Sequence, residues 1–464
     1  MAVDEAGPIA QGAQWLFELT YRDAVARVKG IPGPRPAFPL GNLGDFLGEK
    51  PWEVLHGYAR DYGEGGLVRW WWRGEPVLAV ASPEVAHEVL VSRELDFYKD
   101  SPRRALRPLL TDVEAFLANP PAWEAVSARS LFALPGMRAW LDAQVPRFAA
   151  RARARLGALV GAEPEDALNL LRRMGFDAFT EMAVGEVFDD AAFDDALAML
   201  RAGHDRMTAM GAVDEDLDDP SFVRARDALW GRFRRAIAAA RGGDLSGRTD
   251  LLAHALAQAT PLSDAELAAA LANLYFSGLL STTSGLLSTL WALTNHPEAR
   301  GAVRAELGGH AWTAGGLAGL GALDAVIREA TRLHPPVPVY LRNSARDREV
   351  TLAGHVIPAD TRLFLSNYAL HRSARCWDEP DAFKPSRWTD ARRAEVPYGH
   401  PTFWPFGMGR RACAGQEIAL AYIRAVAAVA VGEREVQVGL GRPFEGESFF
   451  ACVSAEGLTV TVAR

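Results

Sequence analysis

The stretch Phe406-Gly-Met-Gly-Arg-Arg-Ala-Cys-Ala-Gly415 decides how this chain is interpreted. It has the form F-x-x-G-x-R-x-C-x-G, with five fixed positions in ten residues. Its glycines let the backbone turn tightly and approach a flat ligand. Two arginines precede Cys413 and a helix is predicted from Gln416, so positive charge and a helix N-terminus both favour a thiolate. The alternative is a buried cysteine in a glycine-rich turn.

This decapeptide resembles the cysteine signature of the cytochrome P-450 family, and the resemblance extends over about Ile31 to Arg464. It implies haem b (iron protoporphyrin IX) with Cys413 as the thiolate ligand, the ligand type of haem-thiolate enzymes. It also implies a mainly α fold with small β-sheets (α+β), in which a long central helix lies across the haem. Further haem contacts are expected from the rest of the motif: Phe406, Gly407, Gly409, Arg411, Ala412 and Gly415.

The composition is that of an ordinary globular protein, with 464 residues, 49% hydrophobic and 23% charged. A net charge of -8 gives no basic surface for nucleic acid. The cysteines are few and odd in number (Cys376, Cys413 and Cys452), which does not indicate a disulfide framework and suits a reducing cytosol. Scarce lysine with abundant alanine and arginine indicates a GC-rich bacterial genome.

Residues 1–30 contain several charges and no long apolar run, so neither a signal peptide nor a membrane anchor is predicted. We therefore expect a soluble, cytoplasmic protein. A proline-rich hinge, Ile31 to Pro39, follows this segment. No internal repeat or composition break divides the remainder. The predicted organisation is an N-terminal extension at 1–30 and a single haem-thiolate catalytic domain at 31–464.

Two groups of strands are predicted within a largely helical chain. Leu67–Arg73 and Val77–Val80 indicate a hairpin, and a helix with proline at its first position should follow Ser82. The second group lies at three short segments: 350–352, 354–358 and 362–365.

The longest predicted helix begins at the capping box Ser263-Asp-Ala-Glu266 and ends before Pro297. It would be about 48 Å long for about 32 residues. No charged side chain occurs from Leu267 to Leu293, which raises the alternative of a transmembrane helix. Serines and threonines along the segment and the lack of a basic flank favour a helix buried in a large core. The family resemblance implies that this is the central helix.

Glu329 and Arg332 form an E-x-x-R pair on one helix face, which by itself predicts no more than a solvated surface pair. Arg387, in Phe383-Lys-Pro-Ser-Arg387, resembles the arginine that completes a Glu-Arg-Arg network in the family. The resemblance therefore implies a buried structural clamp of Glu329, Arg332 and Arg387, with a role in folding.

Haem propionates need cationic or hydrogen-bond donor partners when they leave water. Arg411 is the first candidate and Arg342 the second. Trp123 corresponds to a tryptophan that lies near a propionate in the family, although core packing is an open alternative. The arginine expected four residues later is replaced by Ser127, and Arg129 faces about 200° away around a helix.

The central helix departs from the family pattern of A/G-G-x-D/E-T, in which an acid and an alcohol supply protons. The matching residues are Ser277 to Thr282. Gly278 fits and is expected to leave room for oxygen, but Leu280 replaces the acid and Ser281 replaces the threonine. Thr282, one residue further round, is the poorer substitute. Ser281 and Thr282 are thus the candidate catalytic alcohols, and oxygen activation should be atypical.

The substrate pocket is expected to be apolar, although each candidate could equally pack in the core. By family analogy it should be lined by parts of Tyr98–Pro120 and by Phe276, Gly278, Leu280, Val337, Val339 and Phe449. Terpenoids, polyketides, aromatic amino-acid derivatives and fatty acids all fit such a pocket.

These features predict a soluble haem-thiolate monooxygenase that oxidises an apolar small molecule with dioxygen, as in bacterial secondary metabolism. No nucleotide-binding loop is found, so electrons should come from a ferredoxin and a ferredoxin reductase, with docking near Arg410. One rival is an enzyme that uses peroxide or rearranges its substrate without reductant. The other is a haem-binding sensor or carrier without turnover.

Overall fold

The computed structural model describes residues 8–99, 118–128, 131–133, 135–208, 220–258, 262–390, 396–449, 452–455 and 457–463. Its α-helices in chain order are α1 Pro8–Thr20, α2 Arg22–Arg27, α3 Pro51–Tyr62, α4 Pro83–His87, α5 Ala122–Ala128, α6 Met137–Ala158, α7 Ala167–Val184, α8 Asp190–Thr208, α9 Pro220–Gly242, α10 Leu251–Leu256, α11 Asp264–Asn273, α12 Leu280–Asn295, α13 Pro297–Glu306, α14 Ala314–Ala318, α15 Gly321–Leu333, α16 Asn367–Leu370 and α17 Gln416–Gly432. The fold is therefore mainly helical, as predicted.

The strands are short and form small sheets. They are β1 Leu67–Trp72, β2 Glu75–Val80, β3 Phe97–Tyr98, β4 Glu165–Asp166, β5 Val339–Ser344, β6 Val350–Leu352, β7 His355–Ile357, β8 Arg362–Ser366, β9 Glu435–Val438, β10 Gly446–Phe449, β11 Cys452–Ala455 and β12 Thr459–Ala463. The largest sheet has the order β1-β2-β8-β5-β3, and the smaller sheets are β6-β7, β4-β12-β9 and β10-β11.

The described residues fall into two compact units. The first consists of the described parts of 1–100, 338–382 and 396–412, and the second of those of 101–337, 383–395 and 413–464. The single catalytic domain at 31–464 stays a prediction.

The first unit is built on the five-stranded sheet. Strands β1 and β2 form the predicted hairpin, with Leu67 opposite Val80 and Trp72 opposite Glu75. Strand β8 continues the sheet in parallel to β2, and β6, β7 and β8 lie at the three segments predicted from sequence. Helix α4 begins with Pro83, and the Ser82 hydroxyl accepts a hydrogen bond from the backbone N–H of Val85. This is the proline-first helix start that was predicted.

Residues 8–30, predicted as an extension, contribute to the core of the first unit. Phe17 of α1 is fully buried, and its ring lies 5.1 Å from that of Trp71 in β1 in an edge-to-face arrangement. Val28 and Ile31 lie in the same apolar cluster. No short motif predicts this burial, because it depends on a contact with Trp71, which is distant in the sequence.

The second unit contains most of the helices, including the predicted central helix. The capping box at Ser263 and Glu266 is present, and α12 ends two residues before Pro297. The helix is not uniformly α: residues Leu274–Leu279 form a π-helical segment between α11 and α12. Such segments widen a helix by one residue per turn and occur frequently at functional sites. The transmembrane alternative finds no support, since no helix in the described ranges is long and apolar enough to cross a membrane.

The burial of Phe17 predicts a large effect on stability. Phe17→Ala should lower the free energy of unfolding by about 3–5 kcal/mol, because it removes a fully buried ring. Trp15→Ala, on the same helix but 64% exposed, should change it by less than about 0.5 kcal/mol. Urea unfolding followed by far-ultraviolet circular dichroism measures both. Equal, small effects would mean that α1 does not belong to the core.

Candidate active site

A buried carboxylate joins two segments of the second unit. Glu329 of α15 is fully buried, and its Oε1 accepts hydrogen bonds from Arg332 Nη2 at 2.8 Å and from Arg387 Nε at 3.0 Å. Its Oε2 accepts from Arg332 Nε at 2.9 Å. The three residues predicted as a clamp are therefore bonded to one another, with both arginine side chains buried.

Two further donors to Glu329 could not be read from the motif. The backbone N–H of Lys384 donates to Oε1 and the indole N–H of Trp388 donates to Oε2, each at 2.9 Å. Five hydrogen bonds and two cations thus surround one carboxylate, which satisfies the rule that a buried charge must be paired and hydrogen-bonded. We call Glu329, Arg332, Lys384, Arg387 and Trp388 the Glu329 cluster. It fixes the 384–388 segment against α15.

The cysteine loop passes from the first unit to the second between Ala412 and Cys413. In the first unit, the backbone N–H of Trp404 donates to His371 Nε2 at 3.0 Å, and Tyr340 donates to the carbonyl of Pro405 at 3.1 Å. Gly409 has φ +71, and a Cβ there would lie 2.6 Å from the carbonyl oxygen of Leu90. Only glycine tolerates both conditions, so the signature glycine is required by close backbone packing.

In the second unit, Cys413 lies just ahead of the N-terminus of α17. Its carbonyl accepts a hydrogen bond from the backbone N–H of Gln416 at 3.3 Å, and its thiol is exposed and forms no disulfide. Helix α17 has no side-chain cap, so its first N–H groups and its dipole leave positive potential near the cysteine. This arrangement favours the thiolate form.

Two arginines of the first unit form a cationic pair. Arg342 of β5 is buried, and burial together with the nearby positive charge of Arg411 lowers its pKa to about 10. Burial and the neighbouring charge both disfavour the charged form of Arg342, and the nearby carboxylate of Glu94 offsets this effect in part. Both residues were candidates for binding propionates, and the structure brings them together.

The remaining candidates for contacts with the haem or with a redox partner are Arg410, Trp123 and Arg129. Arg410 is half exposed and pairs with Glu94 at 3.0 Å. Trp123 is buried in α5, with Ser127 one turn later as expected, and Arg129 lies outside the described residues. Neither placement distinguishes a propionate contact for Trp123 from core packing.

The two candidate alcohols of the central helix, Ser281 and Thr282, differ in their accessibility. Ser277, Gly278 and Ser281 are half-buried, whereas Leu280 and Thr282 are buried, with 3% and 4% exposure. Ser281 Oγ donates to the carbonyl oxygen of Ser277 at 2.7 Å. Its proton is therefore held by the helix, and its lone pairs are left to accept a hydrogen bond. Ser281 is the more accessible of the two alcohols.

Gly278 faces a neighbouring helix. A Cβ at this position would lie 3.6 Å from Phe179 Cε2 of α7 and 3.7 Å from Leu274 Cδ1, both ordinary contact distances. Gly278 therefore packs against α7. This contact does not support the expectation that the glycine leaves room for oxygen.

The remaining pocket candidates occupy varied positions. Val337 and Val339 are half-buried, and Val339 also packs on an apolar cluster of the first unit. Phe276 lies in the π-helical segment and Phe449 ends β10, but the side chains of both lie outside the described residues, as do residues 100–117 of the predicted wall. The pocket lining stays a prediction.

Comparison with known proteins identifies the family. The family described as Cytochrome P450 matches residues 31–431. A flavonoid 3',5'-hydroxylase of Crocosmia x crocosmiiflora is 26% identical over 447 residues, covering 86% of this chain and 83% of that protein. Cyclooctatin synthase of Streptomyces melanosporofaciens is 31% identical over 227 residues, covering 48% of this chain and 43% of that protein.

Solved structures agree on the fold. The heme domain of cytochrome P450DA superposes with a TM-score of 0.78 at 21% identity, covering 94% of this chain and 98% of that one. A triple mutant of the same domain gives a TM-score of 0.80. The chain belongs to the cytochrome P450 family. It is accordingly a monooxygenase with haem as its cofactor, held by a cysteine thiolate.

The described residues fit this cofactor. The thiol of Cys413 is accessible and lies in the positive field of a helix N-terminus, as a thiolate donor requires. The cationic pair of Arg342 and Arg411 suits the carboxylates of a porphyrin.

The Glu329 cluster predicts a loss of folding when its carboxylate is removed. Glu329→Ala would leave buried guanidinium groups uncompensated, so the free energy of unfolding should fall by about 3–5 kcal/mol and little holoprotein should accumulate. Haem content per polypeptide and urea unfolding measure this.

Glu433→Ala provides a matched control. It also removes a carboxylate bonded to an arginine, Arg153, but about a third of each side chain is exposed, so it should cost at most about 1 kcal/mol. Normal haem content and stability in Glu329→Ala would show that the cluster is no more important than a surface pair.

Proposed function

We propose that Cys413 is the thiolate ligand of the haem and that the enzyme oxidises an apolar small molecule with electrons from separate proteins. The observation that carries the assignment is the position of the exposed residue Cys413 beside the start of α17. When bound there, haem supplies the oxidising chemistry by activating dioxygen, while the protein supplies ligation, orientation and proton control.

The polar residues around the loop have distinct proposed roles. The N-terminus of α17 keeps the Cys413 sulfur anionic. Arg342 and Arg411 bind the propionates, and an anion placed there would relieve their mutual repulsion and raise the pKa of Arg342 again. The Glu329 cluster holds the structure of the second unit and has no part in turnover.

Proton control in this proposal rests mainly on the substrate, and Ser281 is the accessible alcohol that assists it. Its hydroxyl can receive a hydrogen bond from water through its lone pairs, and it must release the carbonyl of Ser277 before it can donate. The residue before it, where the family pattern has an acid, is the buried Leu280. A polar group of the substrate is proposed to hold the water that Ser281 alone holds poorly.

The substrate class is proposed to be that of secondary metabolites, in a bacterial cytoplasm. The relatives support small-molecule chemistry by their names, among them a flavonoid hydroxylase, cyclooctatin synthase and the dimethylnonatriene synthase of Zea mays. A ferredoxin and its reductase are proposed as the electron donors. Arg410, half exposed and bonded to Glu94, is a candidate docking residue.

The ligand assignment is tested by replacing the cysteine. Cys413→Ser and Cys413→Ala should abolish the red-shifted Soret band of the reduced carbon monoxide complex, because that band requires a thiolate. Cys376→Ser, which removes the half-buried free cysteine of the first unit, should leave it unchanged. A normal band in Cys413→Ala would show that another group binds the iron.

Proton control is tested by coupling efficiency, the product formed per reduced nicotinamide consumed. A library of small molecules is first screened for shifts of the Soret band. The compound that gives the largest shift and is also turned over serves as the substrate. It is compared with an analogue that lacks its polar group. Coupling should fall sharply with the analogue and mildly in Ser281→Ala, because general acid help worth about 10² to 10⁴ in rate would come from the substrate. Tight coupling with both compounds, lost only in Ser281→Ala, would assign the relay to Ser281.

The missing acid also favours a second candidate, an enzyme that takes peroxide in place of dioxygen and reductant. Reconstitution with a ferredoxin and its reductase separates the two functions. Consumption of reduced nicotinamide in step with product supports the monooxygenase route. Product formed only with hydrogen peroxide supports the rival.

A further inference from the structure

Three half-buried polar side chains form a stripe along one side of the central helix. Asn273, Ser277 and Ser281 follow one another at intervals of four residues, and all three are half-buried. Their neighbours Leu274, Tyr275, Leu279 and Leu280 are buried. The stripe spans the π-helical segment and is about 12 Å long at most.

The hydroxyl of Ser277 is bonded to Asn273 twice. Its Oγ lies 2.6 Å from the backbone carbonyl oxygen of Asn273 and 2.6 Å from the side-chain oxygen Oδ1. A serine hydroxyl carries only one proton, so it cannot donate fully to both oxygens. The amide of Asn273 therefore either shares this proton through Oδ1, or is rotated so that Nδ2 donates to Ser277 Oγ.

Both orientations leave the amide of Asn273 with a donor to spare. An amide has two N–H groups, and at most one of them is used by Ser277. Among the residues that the structure describes, Ser277 is the hydrogen-bond partner of this side-chain amide, and the second N–H has no acceptor there. The bond to Ser277 meanwhile restricts the rotation of the amide, so the spare N–H has a fixed direction.

The helix does not need this amide for its own structure. Ser277 already satisfies the carbonyl of Asn273, as Ser284 does for the carbonyl of Leu280 within α12. Asn273 is half-buried, so its spare N–H can reach water or a bound molecule. The position thus has the properties of a binding group.

We propose that Asn273, oriented by Ser277, donates a hydrogen bond to an oxygen of the substrate. The inference rests on the proposed function and narrows its substrate class. The substrate is an apolar molecule that carries a carbonyl or comparable oxygen acceptor, bound about two helical turns from Ser281. Asn273 is a specificity-determining residue, and Ser277 positions it.

The test is a set of ligand titrations of the holoenzyme, followed by the Soret shift. The probes are matched pairs of a cyclic ketone and the hydrocarbon that lacks only its oxygen, from cyclodecanone with cyclodecane to cyclopentadecanone with cyclopentadecane. At least one ketone should bind about tenfold more tightly than its hydrocarbon in the wild type, the size expected for one hydrogen bond. Asn273→Leu should abolish this preference by weakening only the ketone.

Two further variants separate binding from structure. Asn273→Asp keeps the shape but replaces the N–H donors by carboxylate oxygens, so it should also lose the preference for the ketone. Ser277→Ala should reduce the preference about threefold because the amide is no longer held, while Ser284→Ala, which loses the same kind of hydroxyl-to-carbonyl bond, should retain it in full. A purely structural role would weaken both members of each pair equally.

The outcomes are distinguishable from failure of the proposed function. Haem content and the reduced carbon monoxide spectrum are measured first, and their loss in the wild type would overturn the haem-thiolate assignment itself. With that spectrum intact, the inference is overturned if no ketone is preferred, if no pair binds, or if Asn273→Leu keeps the preference.

Discussion

The buried carboxylate of Glu329 is the interaction on which the second unit depends. A charge without water must be matched by hydrogen bonds, and Glu329 meets this demand with five donors from two separate segments of the chain. Because two of these donors are the backbone of Lys384 and the indole of Trp388, the segment around them can adopt only a conformation that directs both at α15. The constraint is thus a matter of geometry as much as of net stabilisation, since a buried ion pair is weak evidence for stability by itself.

The central helix also satisfies several of its buried polar groups internally, but by hydroxyl-to-carbonyl hydrogen bonds and without charged side chains. Four hydroxyls of α12 donate to carbonyls four residues earlier and so need no charged partner: Ser281, Ser284, Thr289 and Thr294. In the π-helical segment and just after it, the same bonds belong to residues that are only half-buried. There the lone pairs of Ser277 and Ser281 remain accessible. One local bonding pattern therefore serves packing at one end of the helix and leaves accessible hydroxyls at the other.

Several features follow from the sequence because they are local. The capping box at Ser263, the proline-first helix at Pro83 and the β1-β2 hairpin depend on residues within a few positions of one another, and all are found where predicted. The cysteine motif is specific for the same reason: the cysteine and the glycines lie within ten residues, directly before the helix that begins at Gln416. These local patterns identified the family, which the match over residues 31–431 shows.

Other features depend on contacts between distant residues. The sequence alone did not decide whether Ser281 or Thr282 is accessible, that Trp388 donates to Glu329, or that Phe17 of the N-terminal segment is buried against Trp71. It also left Asn273 among the polar residues of an apolar helix, because no short motif encodes its half-burial or its contact with Ser277. What the sequence determined by itself was the cofactor chemistry and the order of elements, since both are carried by neighbouring residues. Only the tertiary structure decided which side chains are desolvated and which face open space, because burial is set by packing between segments far apart in the chain.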